Sequence, residues 1–166
     1  MRGPTRTAEL LAVLCRHEVD FIVVGMMAAV LQGTPALTFD LDVVYSRESL
    51  NVSRLLAALR EIDAVFRTDP RRIVPAESHL VTKGHKLLDT TLGHFDALGA
   101  IAEDAGYDEL LGDTLVLSVG GLQVRVLSLA RLIEVKERAG RPKDLAVLPL
   151  LRATLARSHR GEGSQT

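Results

Sequence analysis

Residues 21–45 constrain the fold of this chain more than any other segment, with the sequence FIVVGMMAAVLQGTPALTFDLDVVY. The pattern predicts an apolar strand over Asp20–Val24, a glycine turn at Gly25 and a short helix over Met26–Gln32. A second strand is predicted over Phe39–Tyr45. Apolar strands separated by helices need a sheet on which the helices can pack. The segment therefore predicts an α/β (α+β) domain, with a mixed β-sheet flanked by helices.

Two aspartates on the second predicted strand, Asp40 and Asp42, point to metal chemistry. Side chains two residues apart on a strand lie on the same face, so the two carboxylates are expected side by side. Their repulsion is relieved when both bind one divalent cation. The nearby Gly25 turn opens a helix whose backbone N–H groups suit a phosphate. A metal beside a phosphate is typical of phosphoryl or nucleotidyl transfer, whereas the alternative is a pair of exposed acids at a strand end.

A third carboxylate is needed in this chemistry, to accept a proton from the attacking hydroxyl or to complete a metal site. Asp96, in the segment GHFDAL, is the favoured candidate because its apolar neighbours predict a strand that would aim it at the site. Asp89 is the rival, and a capping or surface role is the alternative for either acid. His94 shares the predicted face of Asp96, where a structural or solvated histidine is favoured over a catalytic one.

The spacing of these residues resembles that of the nucleotidyltransferase superfamily, which has a polymerase-beta-like fold. The family pattern is a glycine followed by Gly or Ser, a short spacer, and Asp-x-Asp or Asp-x-Glu. Here Gly25 and Met26 are followed by 13 residues and then by Asp40-Leu41-Asp42. Met26 departs from the pattern, because the small residue at that position lets the turn approach the nucleotide phosphates. The departure keeps an alternative open, a catalytically degenerate member that binds a nucleotide or a partner.

The segment Ser128–Leu151, SLARLIEVKERAGRPKDLAVLPLL, predicts a helix, a break and a second helix, with basic residues around the break. Such a cluster can hold a triphosphate, and the alternative is a solvated basic helix end. The wording resembles the C-terminal motif of small abortive-infection-type nucleotidyltransferases. By that resemblance Lys136 contacts nucleotide phosphates, Lys143 assists, and Asp144 holds a basic side chain in place.

The resemblance implies a metal-dependent enzyme that moves a nucleoside monophosphate from a nucleoside triphosphate to an acceptor hydroxyl. It implies Mg2+ (or Mn2+) as cofactor, and RNA, protein or a small molecule as acceptor. The family includes toxins of toxin–antitoxin pairs, so an antitoxin partner is one expectation. The residues implied for catalysis and metal binding are Asp40, Asp42 and Asp96. The residues implied for nucleotide binding are Gly25, Met26, Lys136 and Lys143.

The remaining pattern predicts one domain over residues 1–157 and a disordered polar tail over residues 158–166. A convincing hairpin is expected over Thr114–Leu127, with Ser128 as the cap of the next helix and Gly140 as its end. The other predicted elements are helices over Thr5–His17, Ser46–Ile62 (starting at Ser46 or Glu48) and Pro142–Arg157, and strands over His79–Lys83, Lys86–Thr91 and His94–Leu98.

Composition narrows the functional classes. The chain has 166 residues and a net charge of −1, so its overall charge does not favour nucleic-acid binding. A single cysteine, Cys15, excludes an intrachain disulfide and fits the reducing cytoplasm. The apolar stretch Phe21–Leu31 is too short to cross a bilayer. Two basic groups, at residues 67–72 and 83–86, are either solvated loops, which we favour, or a surface for the acceptor.

Overall fold

The computed structural model describes residues 5–163, and within them it contains a mixed seven-stranded sheet in the order β3-β4-β5-β2-β1-β7-β6. The interior strand β1 pairs antiparallel with β2 and parallel with β7, and the central strand β2 pairs parallel with β5. The outer pairs β3–β4, β4–β5 and β6–β7 are antiparallel. The strands are β1 Phe21–Val24, β2 Leu41–Tyr45, β3 Val65–Phe66, β4 His85–Thr90, β5 Gly93–Leu98, β6 Thr114–Val119 and β7 Leu122–Leu127.

Helices pack against this sheet. One of them connects strand β1 to strand β2 along the chain. That helix, α2, contacts β1, β2 and α6, while α6 packs along α7. The helices are α1 Thr7–Arg16, α2 Gly25–Leu31, α3 Ser49–Glu61, α4 Glu77–Leu80, α5 Tyr107–Leu110, α6 Leu129–Ala139 and α7 Pro142–Gly163. The predicted class, a mixed sheet flanked by helices, is confirmed.

The sheet is fully covered at its centre and open on one face at one side. Every residue of β1 is buried, which explains its continuous apolar sequence. In β5, by contrast, Phe95 and Ala97 are buried while His94 and Asp96 are half-buried. This alternation shows that β4 and β5 turn one face to the core and leave the other accessible. The accessible face carries Asp96.

Several local signals were confirmed at residue level. The hairpin β6–β7 pairs Val119 with Leu122 across the turn at Gly120 and Gly121. The Ser128 hydroxyl accepts a hydrogen bond from the backbone N–H of Arg131 at 3.3 Å, so it caps α6 as expected. Gly140 ends α6 with a φ of 63°, the left-handed conformation that favours glycine at this position.

Two predicted segments were wrong. Residues 79–83 form the end of α4 and a turn rather than a strand, because buried Leu80 faces the core and its carbonyl accepts a hydrogen bond from the Tyr45 hydroxyl at 2.7 Å. Residues 158–163 continue helix α7 rather than a disordered tail. The Ser158 hydroxyl there donates to the Leu155 carbonyl, one turn back, at 2.7 Å. The last part of the predicted tail, 164–166, lies outside the described residues.

Candidate functional site

Asp42 and Asp96 lie directly opposite each other on neighbouring strands. The parallel pairing of β2 with β5 sets Leu41 against Phe95 and Asp42 against Asp96. Leu41 and Phe95 are fully buried and fix the register, because a slip of one residue in either strand would turn the carboxylate of that strand into the core. The sequence places these two acids far apart, and the sheet makes them neighbours.

Asp40 does not share this strand position. Strand β2 begins at Leu41, so the predicted start at Phe39 was wrong by two residues, and Asp40 lies just before the strand that carries Asp42. The physical reason is the strand register. β1 ends at Val24, which pairs with Asp42, and the chain turns at Gly25, so β1 offers no strand partner to Asp40. Asp40 is exposed, although its charge still raises the pKa of Asp42. Among residues 5–163, no three acidic, histidine or cysteine side chains are arranged to hold a metal ion.

The surroundings of the Asp42 carboxyl disfavour its ionised form. Burial, followed by the neighbouring charge of Asp96 and a hydrogen bond with that carboxyl, raises its pKa to about 7. The charge of Lys136 opposes this shift. One oxygen, Asp42 Oδ1, is buried and has no hydrogen-bond partner. A buried acceptor without a partner beside a second carboxylate is what a bound cation would satisfy.

Gly25 presses directly against this carboxyl. Its φ of +66° is the left-handed conformation that favours glycine, and a Cβ placed there would lie 2.8 Å from Asp42 Oδ2. Glycine is therefore required at this turn both by the backbone and by the acid it contacts. Met26, the next residue, is half-buried and packs against the hydrophobic core.

A basic group faces the acid pair from the junction of α6 and α7. Lys136 Nζ lies 3.1 Å from Asp144 Oδ1, and Arg141 Nε lies 2.6 Å from Asp144 Oδ2. The Asp144 side chain is completely buried, and hydrogen bonds from Arg141 lower its pKa to about 2. Asp144 thus holds the two cations in place, as the motif implied for one of them. Lys143 is exposed and lies outside the cavity wall described next.

A cavity of about 300 Å³ lies between Asp42 and α6, and Asp96, the other member of the acid pair, is not one of its lining residues. Gly25 and Asp42 line one end, and Lys136, Arg141 and Asp144 line another part of the wall. The rest of the wall is mainly apolar, and its members are Val24, Leu98, Ile101, Ala102, Leu127, Leu132, Val135 and Ala139, with His85 among them. A negatively charged end, a basic rim and an apolar wall suit a flat, apolar ring that carries an anionic chain.

One contact of this site carries no signal in the sequence. Arg67, just after β3, donates from Nη2 to Asp96 Oδ1 at 3.1 Å. The rival acid Asp89 instead lies against His94, with Oδ1 and Nε2 3.0 Å apart. In the other basic group of the sequence, Lys83 and His85 are exposed, whereas Lys86 is buried and its ammonium donates to backbone carbonyls.

Comparisons with solved structures show which known fold this chain shares. A protein of Thermotoga maritima that has been assigned as a nucleotidyltransferase matches with a TM-score of 0.57 and 17% identity, over 86% of this chain and 88% of that one. The antibiotic-resistance factor ANT(2'')-Ia matches with a TM-score of 0.57 and 14% identity, over 90% of this chain and 82% of that one. The chain has the nucleotidyltransferase fold. No protein-family model and no curated protein matches the sequence.

The nucleotidyltransferase fold agrees with the resemblance carried by Gly25 and the aspartates. Sequence identities of 14–17% show a shared fold and carry no residue roles from one protein to the other. The helices give one further result. None of those within residues 5–163 combines the length and the apolar composition needed to span a bilayer.

We predict that Gly25→Ala destabilises the chain by at least about 2 kcal/mol, because it adds a left-handed strain to a collision with Asp42. The matched control is Gly120→Ala, where φ is +56° but no atom lies within 4 Å of the new Cβ. Its cost is expected to be about 1 kcal/mol. Urea denaturation of both variants measures the difference. Equal costs at the two glycines would show that the contact with Asp42 carries no energy.

We predict that Asp42→Asn stabilises the metal-free chain at pH 8 by about 2 kcal/mol and changes little at pH 4. The folded pKa of about 7 lies above the ordinary value of 3.8. Between these values the folded state binds a proton that the unfolded state lacks, so stability falls as pH rises through this window. The asparagine side chain does not ionise, so this decrease in stability with rising pH is absent from the variant. Melting curves in a chelating buffer at both pH values test this, with exposed Asp63→Asn as the control.

Proposed function

We propose that this chain is a metal-dependent nucleotidyltransferase that transfers a nucleoside monophosphate from a nucleoside triphosphate to an acceptor hydroxyl. The observation that carries the proposal is the pairing of Asp42 with Asp96 beside the Gly25 turn, at the end of an apolar cavity with a basic rim. The fold that this chain shares with the two structural neighbours also supports this activity.

The residues present fit a hard divalent cation. Asp42 offers a buried oxygen without a partner, and Asp96 offers a second carboxylate beside it. These two residues, with Asp40 just before β2, are the ones that would hold Mg2+ or Mn2+. When bound, such a cation neutralises phosphate charge and polarises the phosphorus that is attacked. Within residues 5–163 no three acidic, histidine or cysteine side chains are close enough together to hold the cation by themselves. Phosphate oxygens and water are common further ligands of Mg2+.

The other residues of the cavity have distinct roles in this proposal. The apolar wall takes the nucleobase, while Lys136 and Arg141 offset the charge of the phosphates. Asp96 accepts the proton of the acceptor hydroxyl. The new bond joins the acceptor oxygen to the α-phosphorus, and the bond from that phosphorus to the pyrophosphate oxygen breaks. Alignment of the two reactants and neutralisation of charge supply most of the rate.

A labelling experiment tests the activity and names the acceptor together. The chain is incubated with Mg2+, each of the four ribonucleoside triphosphates labelled at the α-phosphorus, and total RNA, purified proteins, small hydroxyl compounds or cell extract. Antibiotics belong among the small compounds because one neighbour is an antibiotic-resistance factor. A toxin role would appear as labelled RNA or protein from the cell. We expect Asp42→Asn to abolish transfer and exposed Asp63→Asn to preserve it. Equal turnover in both variants would contradict the mechanism.

The nucleotide pocket has its own prediction. Ala139→Trp, at the exposed end of α6, places a large ring in the cavity wall and is expected to weaken binding of a non-hydrolysable triphosphate at least about tenfold, or about 1.4 kcal/mol. Ala130→Trp is the matched control, because Ala130 is exposed on the same helix but does not line the cavity. Calorimetric titration with Mg2+ measures both. Unchanged affinity in Ala139→Trp would place the nucleotide elsewhere.

The second candidate function is a degenerate member of the fold that binds a nucleotide or a partner without turnover. Met26 favours it, because a long side chain stands where the related enzymes have Gly or Ser. Its packing against the core favours an open pocket instead. We expect Met26→Ser to change nucleotide affinity by less than about tenfold. No binding by the native chain, restored in Met26→Ser, would favour the degenerate function.

A further inference from the structure

Arg67 is fixed beside the acid pair from several points. Its backbone N–H donates to the Leu87 carbonyl at 2.9 Å, so the residue continues the edge of the sheet beyond β3. Its guanidinium donates from Nη1 to the Leu88 carbonyl at 3.2 Å and from Nη2 to Asp96 Oδ1 at 3.1 Å. The side chains of Arg67 and Asp96 are only 25% and 19% exposed. Water therefore screens this ion pair less than a pair on the open surface.

The two carboxylates of the pair are treated unequally. Asp96 has a built-in cation, whereas Asp42 Oδ1 is buried without a partner. Lys136, the next cation, is engaged by Asp144 at 3.1 Å. Asp96 is therefore paired with a cation, whereas within residues 5–163 no cation forms an ion pair with Asp42. A divalent cation is attracted to the Asp42 side, and at the Asp96 side it meets a positive charge that cannot be removed by deprotonation.

We propose that Arg67 is a positioning residue that takes the place of a second cation at the acid pair, holding Asp96 and limiting the site to one divalent cation bound mainly by Asp42. This inference rests on the proposed function, because it concerns the metal of that reaction. The fixed guanidinium keeps Asp96 oriented towards the acceptor without using it as a principal metal ligand. Arg67 would thus supply one of the two positive charges on the acid pair, and a single divalent cation would supply the other.

The test counts bound cations without nucleotide or turnover. Mn2+ alone is titrated into the full chain, and free Mn2+ is followed by electron paramagnetic resonance. We expect one bound Mn2+ for the native chain and for Arg67→Lys, which keeps the charge. Two are expected for Arg67→Gln, which removes the charge but can still form hydrogen bonds. Arg71→Gln is the matched control, since Arg71 lies on the same loop, pairs with Asp69 and is expected to leave one site.

The outcomes separate this inference from the proposed function. One Mn2+ in both the native chain and Arg67→Gln would overturn the role of Arg67 alone, as would two in the native chain. No Mn2+ bound by the native chain would contradict the metal site and this inference together.

A second comparison keeps the inference testable if Arg67→Gln does not fold. We expect Asp42→Asn to weaken Mn2+ binding at least tenfold more than Asp96→Asn does, because Asp96 is occupied by Arg67. Equal losses in the two variants would show that both acids ligate the cation alike, which contradicts the proposal.

Discussion

The enforced proximity of Asp42 and Asp96 is the constraint on which the rest of the site depends. Strand pairing holds the two carboxyls on adjacent strands, and burial together with the neighbouring Asp96 raises the pKa of Asp42 to about 7. Three neighbouring residues accommodate or partly neutralise these two carboxyls. Gly25 leaves room for Asp42, Arg67 pairs with Asp96, and Lys136 lowers the cost of ionising Asp42 from across the cavity.

The surrounding fold keeps this unfavourable arrangement in place. Buried residues beside each acid, such as Leu41 and Phe95, fix the register of β2 on β5, and their burial opposes any slip that would separate the carboxyls. The basic side of the cavity is held separately, through the buried Asp144 at the start of α7. Two rigid supports therefore face each other across the cavity, which is the arrangement that a pre-organised electrostatic site needs.

Much of the fold was predictable because its signals are local. Strand β1, the β6–β7 hairpin, the Ser128 cap and the Gly140 terminus each depend on residues within one or two turns of chain. Local signals failed where tertiary contacts decided. The segment at residues 79–83 has an apolar pattern that suits a strand, yet the burial of Leu80 beneath Tyr45 makes it helical and turned. The start of β2 failed for the same reason, since the end of β1 sets it.

The sequence by itself determined the chemistry available: a glycine turn, acids on strands, and a lysine ahead of an Arg-Pro-Lys-Asp segment. These are properties of residue type and short spacing. Only the tertiary structure decided which groups meet. It paired Asp42 with Asp96, and it brought Arg67 onto Asp96 across 29 positions of chain. Strand register and long-range pairing depend on the packing of the whole core, so no local pattern encodes them.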